Sequence, residues 1–437
     1  MEQNNPKVMN AWAFYDWANS VYNLVITTAI FPIFYKAQAV HFTNTIDGKE
    51  VGFVNFWGID IINTSLYGYV FAASFVVITL LMPLLSGIAD YTDTRKRFLQ
   101  FFCYLGATSC MALYFFDSKY IEISMLAPFF ASIGFWGSLV FYNSYLPIIA
   151  TPDKQDALSA KGFSLGYFGS VLLLVAILFM ITTYGKHLTR YSFLAVGLWW
   201  AGFAQITYAQ LPGKTRKHNK RKRSEILKSG YLELIKVWNE LKVQKRLTRF
   251  LSAFFTFNTG VQTVLLLAVL FAEQEINWPI VDGEKDSSGL IISMILIQLV
   301  AILGALSMSR LSKWFSNIRV LQMCTALWIT ACVIAYFITE PVEFYFLAAL
   351  VGFVMGGIQS LSRSTYSKML PKTDDPTSYF SFYDVLEKIG LIIGPFLFAT
   401  VNWITGGMRP SVLVVMTFFI IGFLLLFRVP KLSHKSA

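Results

Sequence analysis

With 437 residues, 55% of them hydrophobic and 16% aromatic but only 14% charged, the chain is too apolar for a soluble domain, where charged residues run near 25%. The formal net charge of +11 would suit a nucleic-acid binder if the bases covered one polar surface. They gather instead in short segments between long apolar runs, which excludes that class and describes a polytopic membrane protein.

Windows of about 20 apolar residues mark the segments able to cross a bilayer. The first, Asn10–Lys36, reads NAWAFYDWANSVYNLVITTAIFPIFYK. It carries Asp16, Asn19, Ser20, Asn23 and Thr27, which an α-helix returns to one side. Such a stripe must face protein or water rather than lipid. A single polar residue in a span is ordinary interhelical glue; five on one face suggest a cavity. The polar start of the His41–Ser65 connection gives way to Phe53, Phe56, Trp57 and Ile61, a stretch able to lie at the membrane interface. Further spans are expected at Leu66–Ala89, Phe98–Phe116, Ile121–Ile149, Lys161–Thr183 and Tyr191–Leu211. The longest polar connection, Pro212–Arg249, follows; there Leu227, Tyr231, Leu234, Ile235, Trp238 and Leu241 recur at helical spacing among lysines and arginines. This predicts a basic amphipathic helix along an anionic inner leaflet, or a solvated linker that helps fix orientation. Six more spans are expected at Phe250–Ala272, Ser288–Ser309, Val320–Ile338, Val342–Met369, Thr377–Ile404 and Ser411–Phe427. The expected organisation is therefore about twelve helices: an N-terminal six-helix bundle at 1–211, a linker at 212–249 and a C-terminal six-helix bundle at 250–437.

The charges orient this array. Arg95, Lys96 and Arg97, then Lys154 and Lys161, then Arg310, Lys313 and Arg319 fall in alternate connections with the basic linker, whereas the intervening loops hold Asp47, Glu50, Glu122, Glu273, Glu275, Asp282 and Glu284. The base-rich side is expected to be cytoplasmic, with both termini there and the chain in the cell membrane. No cleavable leader is read at the N-terminus. Cys103, Cys110, Cys324 and Cys332 lie in apolar runs and predict no disulfide. His41, His187, His218 and His434 have no metal-ligand spacing, and neither a metal nor a cofactor is expected.

The two halves resemble each other. Ala13–Val21 reads against Ala253–Val261, Tyr142–Pro147 against Tyr366–Pro371, and Gly166 against Gly390 in the same register. Three pairs in consistent order suggest a duplication, the usual origin of carriers.

After the second span comes Gly87-Ile88-Ala89-Asp90-Tyr91-Thr92-Asp93-Thr94-Arg95-Lys96-Arg97. It resembles the loop signature of the major facilitator superfamily, with Gly87, Asp90 and Arg95 as a gating latch; Asp93-Thr94 stands where that superfamily usually has a glycine. The stretch Asp16–Tyr22, with Phe141–Pro147, Ser159–Gly169, Gly357–Ser364, and Tyr383–Lys388 running to Gly394-Pro395, resembles the vacuolar amino-acid effluxer-like family, which includes the fungal autophagy-related effluxers. Relatives often carry an aspartate where this chain has Thr259. The resemblance implies an all-helical fold of two pseudo-symmetric bundles and a central cavity lined by the first, fourth, seventh and tenth helices. It also implies transport of a small organic solute, amino acids above all, by alternating access.

The polar faces agree with that expectation. Asp16, Asn19 and Asn23 on the first helix, Tyr142 and Tyr145 (with Ser138) on the fourth, Asn258 and Gln262 on the seventh, and Gln359, Arg363 and Tyr366 on the tenth are the substrate-cavity candidates. Arg363 can hold a carboxylate at two points or snorkel to the inner surface. On the eleventh, Asp384 and Lys388 are spaced for an intramembrane ion pair. That leaves Glu387 beside it, and Glu387 and Asp16 are the proton-coupling candidates. A carrier of sugars, nucleosides or drugs on the same fold, or a non-transporting sensor, are the alternatives. An enzyme would need a juxtamembrane group of His, Cys or carboxylates, and none is read. The expected partners are a small-molecule substrate and the bilayer, with a monomeric protein.

Overall fold

Asn5 starts the first span. Its side chain accepts a hydrogen bond from the amide of Lys7 at 3.0 Å, and Pro6 takes the first helical position, so α1 runs Pro6–Val21. From Tyr22 to Ala29 the chain winds as a π-helix; it then bends by 41° and resumes as α2, Phe31–Gln38. The periodicity predicts one straight α-helix here, and the difference has a local cause. Pro32 has no N–H to give the preceding turn, and the hydroxyls of Thr27 and Thr28 both bond the carbonyl of Asn23. Asp16 and Asn19, before the change of winding, are buried, whereas Asn23, on the π segment, is exposed.

The computed structural model describes residues 3–46, 49–213, 232, 235–281, 284–285, 288–373 and 375–430. After α2 the connection forms an antiparallel sheet in the order β1 (Phe42–Ile46), β2 (Lys49–Phe56) and β3 (Ile59–Ile62). Trp57 and Gly58 turn β2 into β3 with φ of 50° and 82°, the positive pair that a tight hairpin favours. Glu122 accepts from the amide of Trp57 at 3.0 Å. The stretch expected to lie along the interface is thus a folded strand pair.

The long helices that follow in the N-terminal half are α3 (Asn63–Thr92), α4 (Arg95–Ala112), α5 (Leu126–Asn143), α6 (Pro152–Tyr184) and α7 (Thr189–Gln210). Residues 235–243 form α8. The C-terminal half holds α9 (Lys245–Glu275), α10 (Ser288–Phe315), α11 (Asn317–Phe337), α12 (Pro341–Met369), α13 (Pro376–Thr405) and α14 (Met408–Phe427). A reciprocal capping box of Glu340 and Glu343, with Pro341 behind it, starts α12. A helix of 30 residues is about 45 Å long, more than the roughly 30 Å of a hydrocarbon core. Among the described residues nine single helices and the bent α1–α2 pair are long and apolar enough to span a membrane. Two further long helices, α7 and α13, fall short of that measure; the second carries Asp384, Glu387 and Lys388 in its middle.

The chain divides into two compact units. The first gathers Asn5–Tyr145 with the segment beginning at Leu165; the second gathers Leu146–Ser164 with the described residues from 232 onward. The division falls inside α6, so the first 13 residues of that helix belong to the second unit (152–164). In the first unit α4 and α5 approach at Gly106 and Gly134: an added Cβ on Gly134 would strike the backbone of Gly106, and one on Gly106 would strike the ring of Trp200 on α7. In the second, α10 meets α12 through Gly304 against Phe353 and through Gly352 and Gly356 against Ile297 and Ala301. Gly352 and Gly356 are four apart on one face, the spacing by which membrane helices come into backbone contact.

Candidate functional site

In the first unit a polar group is held in an aromatic frame. Asp16 is 4% exposed and accepts from the hydroxyl of Tyr142 at 2.9 Å. Trp12 positions that tyrosine twice over: its ring stacks on Tyr142 at 4.5 Å, and its indole N–H donates to the Tyr142 carbonyl at 2.9 Å. Tyr15 lies 4.9 Å from the same ring. One turn beyond Asp16, Asn19 is 1% exposed, and its Nδ2 has no hydrogen-bond partner among the described residues. Asn23 lies on the π segment, where its side-chain oxygen accepts from Thr27 at 3.0 Å.

The second unit holds a denser cluster. Gln262 on α9 donates to Glu387 on α13 at 2.6 Å, and Lys388 donates to Asp384 at 2.7 Å with both partners buried. The expected ion pair is present, and Glu387 stands beside it, bonded by an amide. Asn258, one turn before Gln262, is 6% exposed with Nδ2 unpartnered among the described residues. Tyr383 stacks on Phe254 at 4.1 Å. Thr259 packs at a tight crossing. A Cβ on Gly390 would come within 2.8 Å of its Oγ1, and one on Gly394 would meet its Cγ2 at 3.0 Å. Gly166 in the first unit meets α1 in the same manner, at Ser20 and the carbonyl of Asp16. Each of the two glycines paired in sequence thus lies at a helix crossing of its own unit.

Several candidates have other work. The Tyr145 hydroxyl donates to the carbonyl of Pro212 at 3.0 Å, and that of Tyr366 to the carbonyl of Tyr379 at 2.5 Å; both rings are buried. Arg363 neither snorkels nor stands open. It is 3% exposed, donates to the Ser159 hydroxyl and carbonyl at 2.9 Å each, and lies over the ring of Phe163 at 4.2 Å. Gln359 is half-buried. The Ser138 hydroxyl bonds back to the carbonyl of Phe135.

At the end of α3, Gly87 is buried and Asp90 pairs with Arg95 at 2.9 Å, both groups almost wholly buried. Asp93 ends the helix at φ 52° and ψ 44°. That is the left-handed region where glycine is at ease and aspartate is tolerated, so the departure from the superfamily pattern keeps the turn. Of the expected linker helix, Leu227, Tyr231 and Leu234 lie outside the described residues. The part that is described, α8, buries Val237 and Leu241 and docks on α13: Trp238 stacks on Phe382 at 5.9 Å, and Glu240 takes a hydrogen bond from Tyr379.

One cluster gave little sign of itself in the sequence. Asp156, a turn into α6, pairs with Lys368 and accepts from Asn317 at 2.7 Å and Ser312 at 3.1 Å. Its signal in the sequence is weak, because Asp156 shares the start of α6 with Asp153, Lys154 and Lys161, and Lys368 follows Arg363 on α12.

A profile of the family described as vacuole effluxer Atg22 like matches residues 4–436. The chain belongs to that family. An uncharacterized MFS-type transporter of Bacillus subtilis, YxiO, is 30% identical over 97% of this chain and 95% of its own length. Autophagy-related protein 22 of Saccharomyces cerevisiae (strain S288c) is 24% identical over 85% of this chain and 78% of its own. Among solved structures, the human organic anion transporter MFSD10 superposes with a TM-score of 0.70 at 13% identity, covering 97% of this chain and 100% of that one. The proton:xylose symporter XylE superposes at 0.69 and 11%, over 97% and 95%. This Atg22-like chain therefore has the major facilitator fold and is an MFS-type, multi-pass membrane transporter.

Proposed function

We propose that this Atg22-like protein moves a small organic solute, amino acids first among the candidates, by alternating access across twelve spans, and that Glu387 couples the movement to protons. The observation that carries this reading is the charge arrangement on α13. Lys388 donates a hydrogen bond to Asp384, and beside this pair Glu387 accepts one from the Gln262 amide, inside a bundle that spans a membrane. A carboxyl in such surroundings exchanges a proton more readily than one locked to a base. Movement of a solute is supported by the family, described as vacuole effluxer Atg22 like. The amides of Asn19 and Asn258 supply donors that have no acceptor among the described residues, suited to a solute with carboxylate oxygens. Asp16, Asn23, Tyr142, Gln262 and Gln359 complete the proposed contacts. Tyr145, Arg363 and Tyr366 hold the helices in place, and Gly87, Asp90 and Arg95 form the closing loop. Both termini are assigned to the cytoplasm.

The test uses purified protein in liposomes. A thermal-shift panel of amino acids, sugars and nucleosides selects the solute, since a ligand that binds only the folded state raises the melting temperature. Glu387→Gln then abolishes flux driven by an imposed pH gradient but leaves counterflow of the same solute intact. Gradient-driven flux that survives in the variant removes Glu387 from coupling, and a panel in which only sugars or nucleosides respond replaces the substrate class.

A further inference from the structure

Helices α9 to α14 of the second unit line a partly open void of about 80 Å³. Small side chains leave it open: Ala331 and Ala335 on α11 and Ala348 on α12 stand where larger residues would fill it. The wall offers water very little. The Thr263 hydroxyl already donates to the carbonyl of Thr259 at 2.7 Å, and beyond it stand only a thiol and the indole N–H of Trp328. A buried water needs two to four polar partners and about 10–15 Å³ of such space. A void of this size would need several waters, and its wall cannot bond them.

The first unit solves the same packing problem differently. Phe193 stands four residues into α7, as Val412 stands four residues into α14. Around Phe193 the core is filled with rings: Phe34 lies at 5.1 Å and Phe31 at 5.8 Å, and Phe116 lies about 6 Å from both of these. Val412 instead borders the void. A close-packed interior leaves few holes of this kind, and one that is dry and lined with carbon takes apolar guests.

We propose that this void is a binding site for an alkyl group, either the tail of a bilayer lipid or a small apolar solute. Trp328 reports on it, because the ring forms part of the wall and is fully buried from the surroundings. The full chain is placed in nanodiscs whose lipids carry bromine along the acyl chain, and separately in unbrominated nanodiscs with added 1-bromohexane. The Trp328 emission is taken as the difference from Trp328→Phe. Quenching by at least one probe is expected, and Ala331→Leu or Ala348→Leu, on different helices, should abolish it by filling the space. Quenching by brominated lipid alone identifies a lipid tail; quenching by bromohexane alone identifies a free solute. No quenching by either probe overturns the proposal, as does quenching that both filling variants leave unchanged.

Discussion

At the scale of single residues, burial decides what each charge can do. Lys388 and Asp384 neutralise one another with almost no exposure. Removing one partner of such a pair costs about 3–5 kcal/mol, whereas replacing both by apolar groups is far less harmful. Lys388→Met is therefore expected to lower the melting temperature sharply, and Asp384→Leu with Lys388→Met to recover most of the loss in a thermal-unfolding assay. Asp93 is governed by backbone conformation: Asp93→Asn keeps the left-handed turn, and Asp93→Val destabilises by about 1–2 kcal/mol, measurable by the same assay. Helical spacing was enough to place the Asp384–Lys388 pair and to mark Asp16, Asn19 and Gln262 as polar groups of apolar spans, all three of them buried. It could not tell a phenol facing a cavity from one that ties down a carbonyl, as Tyr145 and Tyr366 do. Nor could it reveal that Arg363 already has Ser159 as its acceptor, 204 positions away.

At the scale of elements, crossings depend on residues with no side chain. Gly390 and Gly394 let α13 approach α9 at Thr259 and Thr263. Gly390→Val would push two branched side chains together, and overpacking of this kind costs about 1–3 kcal/mol. The expected result is reduced folded yield and a lower melting temperature, partly restored by Thr259→Ala. The helices themselves were legible, because a run of apolar residues long enough to span has few other stable forms. The π segment in the first span was not. Tyr22–Ala29 looks like ordinary helix to any periodicity, and the outcome turns on Pro32 and on hydroxyls competing for the carbonyl of Asn23. The β1–β3 sheet was missed for a related reason: Phe53, Phe56 and Trp57 suggested a greasy surface, while the Trp57-Gly58 turn made them part of a hairpin.

At the scale of the whole molecule, the duplicated plan was visible in three short matches, and the differences between the copies were not. Whether a bundle core holds rings or a void depends on which residues meet from six helices. The division of α6 between the two units, anchored on one side by Asp156 with Lys368 and by Ser159 with Arg363, has a consequence for a severed chain. If the polypeptide is expressed as two pieces broken within 214–231, the first piece still carries the segment 146–164 whose partners lie on the second. The pieces should therefore be recovered together from detergent extracts through a tag on either one. Charge reversal at Asp156 together with Ser159→Ala should leave the tagged piece alone on the column.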